Sequence, residues 1–252
     1  MIKFFRKIRQ NLLSEGKTGK YLKYAIGEIV LVVIGILIAL SINNWNNNQQ
    51  DKRTEQATLK ALLREFHDNR TSINNYLDDI KRLRTYGDTL KKLIGPEITS
   101  LSAYNVHRLI GEVATTTKSI VSTDALEDAR ASGRLNLLNN AEVRQAISKW
   151  SSKLKYLQAE EFDWAQEFSN QFAPYTNKWI QWENVDYILN KNDSIRYYES
   201  RFVKDPRLML QQPEFENIMN IQYWRFTRIE SRTNELLQVT DNLISLLENE
   251  LK

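Results

Sequence analysis

The stretch YAIGEIVLVVIGILIALSINNW, Tyr24 to Trp45, decides how the rest of the chain is read. A helix rises about 1.5 Å per residue and the hydrocarbon of a bilayer is about 30 Å thick, so a span needs about 20 mostly apolar residues. The run Ile29 to Ile42 is too short alone and must recruit Ala25 to Glu28, Asn43 to Trp45, or some of both. Tyr21, Tyr24 and Trp45 then fall where interfacial aromatics belong. These residues predict one transmembrane helix over 24–45, with the lipid bilayer as its first partner.

The flanks orient that helix. Lys3, Arg6, Lys7, Arg9, Lys17, Lys20 and Lys23 precede it against a single acid, Glu15, while neutral Asn and Gln follow it. Cations gather on the cytoplasmic side, so residues 1–23 are expected inside and residues 46–252 across the membrane. Ala39-Leu40-Ser41 resembles a signal-peptide cleavage site, but the leader is long for such a peptide, and a retained anchor is expected. Phe4, Phe5, Ile8, Leu12 and Leu13 recur among the cations at near-helical spacing, which suits an amphipathic helix on the anionic leaflet; a basic tail that only orients the span is the alternative.

The net charge of +4 has the same origin. The leader holds seven cations and one acid and Glu28 adds one negative charge, which leaves −1 for residues 43–252. No basic patch supports nucleic-acid binding. The chain has no cysteine, so disulfides, thiolate metal sites and cysteine nucleophiles are excluded.

Beyond the span the pattern is helical. Leu59, Phe66, Ile73, Ile80, Gly87 and Ile94 recur every seventh residue, with Leu62, Asn69, Tyr76, Leu83 and Leu90 three later, forming a heptad seam that stops at Gly95-Pro96. Asn69 and Gly87 interrupt it, either as register or oligomer determinants or as solvated mismatches. A second seam follows a capping box of Asn139 and Glu142 and continues through Val143, Ile147, Trp150, Leu154, Leu157, Trp164 and Phe168 to about Phe172, ahead of Pro174. The third starts at Pro213 and carries Phe215, Met219, Phe226, Ile229, Leu236, Leu243 and Leu247. Shorter helices are expected over Ser102 to Val113 and Thr123 to Ala131. Asn46 to Gln50 contains no breaker, so helix is expected to continue there in preference to a flexible neck. The fold class is all-α: one N-terminal transmembrane helix followed by an elongated antiparallel helical bundle over 46–252.

Two blocks carry a resemblance. YAIGEIVLVVIGILIALSINNWN behind a leader of the type MIKFFRKIRQNLLSEGK, and DALEDARASGRLNLLNNAEVRQAISKW from Asp124 to Trp150, are similar to those of a large uncharacterised family of bacterial single-span membrane proteins, a domain of unknown function. The resemblance implies a Gram-negative inner-membrane location, a single span and a helical periplasmic domain. It implies no activity.

The residues supply little chemistry of their own. Neither His67 nor His107 has a Glu three residues before it, so the Glu-x-x-His pairs of di-metal bundles are missing; no zinc spacing, phosphate-cradling loop or nucleophile elbow occurs. No catalytic residue, metal site or cofactor is assigned, and the protein is not expected to be an enzyme. Glu160, Asp163 and Glu167 share a helical face, which reads as a solvated acidic surface more naturally than as a cation site.

Three places remain for recognition. The aromatic run Phe162 to Phe202 either fills the core or offers a partner surface, with Trp179 and Trp182 the residues to test. Between Ala129 and Arg144, Gly133 in the left-handed conformation would close a short helix and Leu135, Leu137 and Leu138 would dock the connection onto the core; Arg130, Arg134 and Arg144 could instead form an anion or partner site. Within the span, Glu28, Gly35 and Ala39 fall on one stripe, where small residues permit close helix approach and a carboxylate would face a neighbouring helix. Glu28 could equally snorkel to the headgroups or pair with Lys20 or Lys23. The expectation is a membrane-anchored interaction or scaffold module, oligomeric through itself or bound to another envelope protein. The alternative is an accessory subunit of an energised transport or stator-like complex that uses Glu28.

Overall fold

A computed structural model describes residues 18–190 and 197–252. The expectation for the leader over residues 1–17 lies outside the described residues. The chain divides into two compact units, residues 1–56 and 57–252. Every described element is helical: α1 (Thr18–Leu93), α2 (Ala103–Ala114), α3 (Asp124–Ala131), α4 (Ala141–Glu167), α5 (Ala173–Thr176), α6 (Trp182–Leu189) and α7 (Pro213–Glu250), with a π-turn at Phe168–Phe172 and 3₁₀ turns at Arg134–Leu137 and Pro206–Gln211.

In the first unit the apolar segment lies within α1 and is bare. Ile29, Leu31, Ile36 and Ile42 are each more than 60 % exposed, and no residue of the apolar window is buried. Asn46 to Gln50 are helical, as their lack of breakers predicts.

The second unit is built on residues 57–93 of α1 together with α4 and α7. Their order follows from their polar pairs. Along α1, His67, Arg70, Arg84 and Lys91 meet Glu248, Asp241, Glu230 and Asn220 of α7, so the two helices run antiparallel. Along α4, Asn140, Lys153 and Trp164 meet Glu250, Glu235 and Gln222, so α7 is antiparallel to α4 as well. Helices α1 and α4 therefore run the same way, and the segment holding α2 and α3 returns the chain between them.

The expected seam is the core. Leu62, Phe66, Ile73, Ile80 and Leu90 are fully buried, and Phe66 meets Trp150 edge to face at 4.9 Å. A buried indole N–H needs an acceptor. Trp150 Nε1 donates to Thr240 Oγ1 and Trp164 Nε1 to Gln222 Oε1, both at 2.9 Å, which fixes the register of α4 on α7.

Both interruptions of the first seam have a packing cause. Asn69 is 2 % exposed and holds Ser122 at both ends of its peptide unit, donating from Nδ2 to the carbonyl and accepting from the N–H at Oδ1, each at 2.8 Å. It is not a solvated mismatch; it docks the returning segment. A Cβ at Gly87 would stand 3.3 Å from the Phe226 ring, so glycine makes room for that ring.

Three local expectations are corrected. The cap of α4 is Asn140, whose Oδ1 accepts from the Glu142 and Val143 N–H groups, one residue later than the expected Asn139 box. The helix does not run in α form to Phe172, because it widens into the π-turn after Glu167. Nor does Pro174 end it, since α5 contains that proline. Proline lacks an N–H and its ring crowds the carbonyl four residues back, and the wider turn before it relieves that crowding. Gly133 does take the left-handed conformation, φ 74°, and Leu138 is buried behind it.

Candidate functional site

The span stripe is open to approach. A Cβ added at Gly27 or Gly35 would meet nothing within 4 Å. Ala39 is exposed on the same segment and Glu28 is half-buried.

Of the acidic trio of α4, Asp163 is exposed as expected from sequence, but Glu160 is buried and Glu167 largely covered. Glu160 is 7 % exposed, and Arg225 and Arg228, three residues apart on α7, both reach it: Arg225 Nη1 donates at 3.0 Å and Arg228 Nε at 3.0 Å. Arg225 also donates to both oxygens of Glu167, at 2.8 and 2.7 Å, and lies 3.3 Å from Asp163. The hydrogen-bonded Glu167 carboxylate, and then the other two acids, hold the Arg225 pKa well above its ordinary value. Antiparallel register makes this cluster, since Glu160 and Glu167 are two turns apart and one arginine bridges them. Its chemistry is mutual neutralisation, which fixes α4 on α7.

A second buried carboxylate was also missed from sequence. Glu65, 8 % exposed, accepts from the N–H groups of Ala125 at 2.7 Å and Leu126 at 3.3 Å and from Ser122 Oγ at 3.0 Å. A carboxylate from α1 thus caps the first turn of α3, where Thr123 makes no side-chain cap bond. The acid's heptad position gave no signal, because its partners lie far along the chain.

The arginines of the 129–144 block are engaged locally or exposed. Arg134 pairs with Asp128 and donates from Nε to Ser132 Oγ at 2.7 Å; Arg144 donates to the Leu138 carbonyl; Arg130 is exposed. Two of the three thereby brace the turn around Gly133.

Trp179 and Trp182 are partly buried against the core. Trp182 Nε1 donates to Asn177 Oδ1 at 2.6 Å, whereas Trp179 Nε1 is sealed from solvent beside the Tyr175 side chain. Nearby, His107 is 4 % exposed, with Nδ1 3.0 Å from the Ala103 carbonyl. That contact makes Nδ1 the protonated nitrogen. Burial lowers the ring's pKa, opposed by its hydrogen bond to Ala103, by the Gln181 side chain and by Asp205.

Taken together, these features define an all-helical protein in which a bare apolar helical segment accompanies a folded helical unit. Residues 28–203 match the model of a family of unknown function, DUF6090, and the chain belongs to that family. No curated protein and no solved structure matches it.

Proposed function

We propose that the protein is a membrane-anchored scaffold of the bacterial inner membrane, with its N-terminus in the cytoplasm and residues 46–252 in the periplasm. It self-associates through the span and presents its helical unit to another envelope component. The observation that carries this reading is the bare surface of the apolar segment: large aliphatic side chains more than half exposed, beside glycines where an added Cβ meets nothing. Such a surface requires lipid or a second span to cover it. Gly35 and Ala39 allow backbones to approach, and Glu28 on the same stripe is turned toward the partner helix. The cation-rich leader supports the orientation.

The test is crosslinking of the full chain in native membranes, comparing Gly35→Leu with Val33→Leu on another face. Oligomer yield is expected to fall severalfold for Gly35→Leu and to stay unchanged for Val33→Leu. Equal yields from the two variants would overturn self-association through this face.

A further inference from the structure

A groove of about 360 Å³ lies between the π-turn region and the first turns of α7. That volume is within the range of small-molecule sites. Pro174, Ile218 and Ile221 give it an apolar side, and the amide side chains of Asn170, Gln171 and Asn217 give it a neutral polar one.

Two charges of opposite sign also line it, Lys178 and Glu214. Neither forms an ion pair among the described residues, and they do not pair with each other. Lys178 Nζ is instead 5.5 Å from the centre of the Tyr175 ring. Tyr175 is the built element of the groove. Its ring stacks on Phe215 at 5.9 Å and only 4 % of the residue is exposed, with its hydroxyl sealed from solvent beside the Trp179 side chain. Burial first, and the Glu214 carboxylate second, push the phenol pKa up, opposed by a hydrogen bond with the Trp179 side chain.

We infer that this groove binds a small zwitterion, a free amino acid or short peptide with both termini unblocked and an apolar side chain. Lys178 takes the carboxylate and Glu214 the ammonium group. The amides of Gln171 and Asn217 offer donors and acceptors to a peptide unit, and Ile218 and Ile221 take the side chain. One positive and one negative group leave no net charge in the groove, so a polyanion or a polycation finds no counterpart there. The site lies wholly within the second unit and does not depend on whether the span self-associates.

The test is calorimetric titration of the full chain in lipid nanodiscs with L-alanyl-L-leucine, with the same dipeptide acetylated and amidated, and with N-acetylglucosamine. Saturable binding of the free dipeptide is expected, at least tenfold weaker for the blocked form and undetectable for the sugar. Glu214→Gln and Lys178→Met, both at solvent-facing positions and checked for unchanged helicity, should each weaken the free dipeptide at least tenfold. The inference is overturned by absent dipeptide binding, by equal binding of the blocked form, by a preference for the sugar, or by two substitutions without effect. An oligomerisation defect from Gly35→Leu that leaves dipeptide binding intact separates this site from the proposed scaffold role.

Discussion

Glu65 caps a helix far along the chain, its carboxylate accepting the N–H of Ala125, sixty residues later, at 2.7 Å. The long helix α1 thereby secures the start of α3. Glu65→Ala removes three accepted hydrogen bonds and a negative charge at a helix N-terminus. A loss of about 2 kcal/mol is expected. Denaturant unfolding of the full chain in detergent measures it, and hydrogen exchange should show protection lost first at residues 122–126. Unchanged exchange there would refute the capping role.

The Glu160 and Arg225 pair should show the asymmetry of buried ions. Arg225→Met leaves Glu160 with Arg228 alone and releases Glu167, and breaking such a pair costs about 3–5 kcal/mol. Replacing both partners, Glu160→Leu with Arg225→Met, should recover part of that loss, because the two apolar side chains need no counter-charge while Arg228 and Glu167 are left without their partners. Thermal melts of the two variants decide the matter. A double variant no more stable than the single one would show that the cluster does more than neutralise itself.

How much of this was legible in the sequence depended on the distance between partners. The seam through Phe66, Ile73 and Ile80 was readable because a helix face repeats locally, and Gly133 because one short turn demands a positive φ. Asn69 and Glu65 were not, since each looked like a polar residue in or near a seam until Ser122 and Ala125 were folded against it. Glu160 was read as solvated because its cations lie 65 and 68 residues away. The Pro174 region differs for another reason: a proline ordinarily stops a helix, whereas here a π-turn absorbs it. Of the groove, only its surroundings were legible, through Trp179, which sits behind Tyr175.

His107 predicts a pH response well separated from carboxylate titration. Burial makes the folded state resist protonating a ring whose ordinary pKa is about 6.5. The unfolded chain then binds the proton first as pH falls, so stability is full above about 6.5 and declines below it, until the folded ring also titrates. Asp205 and the Gln181 side chain oppose the shift without cancelling it. The melting midpoint of the full chain should fall between pH 7 and pH 5, and His107→Leu should flatten that fall. Parallel profiles for the two proteins would assign the response elsewhere.

Gly111 and Gly87 make a paired prediction about how tightly helices cross. At Gly111, in α2, an added Cβ would stand 2.4 Å from Val185 Cγ1 and 2.8 Å from Leu189 Cδ1 of α6. Leu189 is more than a third exposed and can swing away, but Val185 is buried and β-branched, so the backbones must separate. Gly111→Ala should cost about 1–3 kcal/mol from overpacking, even after the gain of about 1 kcal/mol in helix propensity. At Gly87 the nearest atom, Phe226 Cε2, is 3.3 Å away, and a ring shift of a few tenths of an ångström accommodates the methyl. Contact strain and helix propensity then nearly offset, leaving Gly87→Ala within about 0.5 kcal/mol of the parent. Hydrogen exchange distinguishes the mechanism from simple loss of stability: Gly111→Ala should expose the amides of Trp182–Leu189 selectively, because α6 is the element pushed off. Uniform loss across α4 and α7 would place the strain in the three-helix core and contradict the tight α2–α6 crossing as its source.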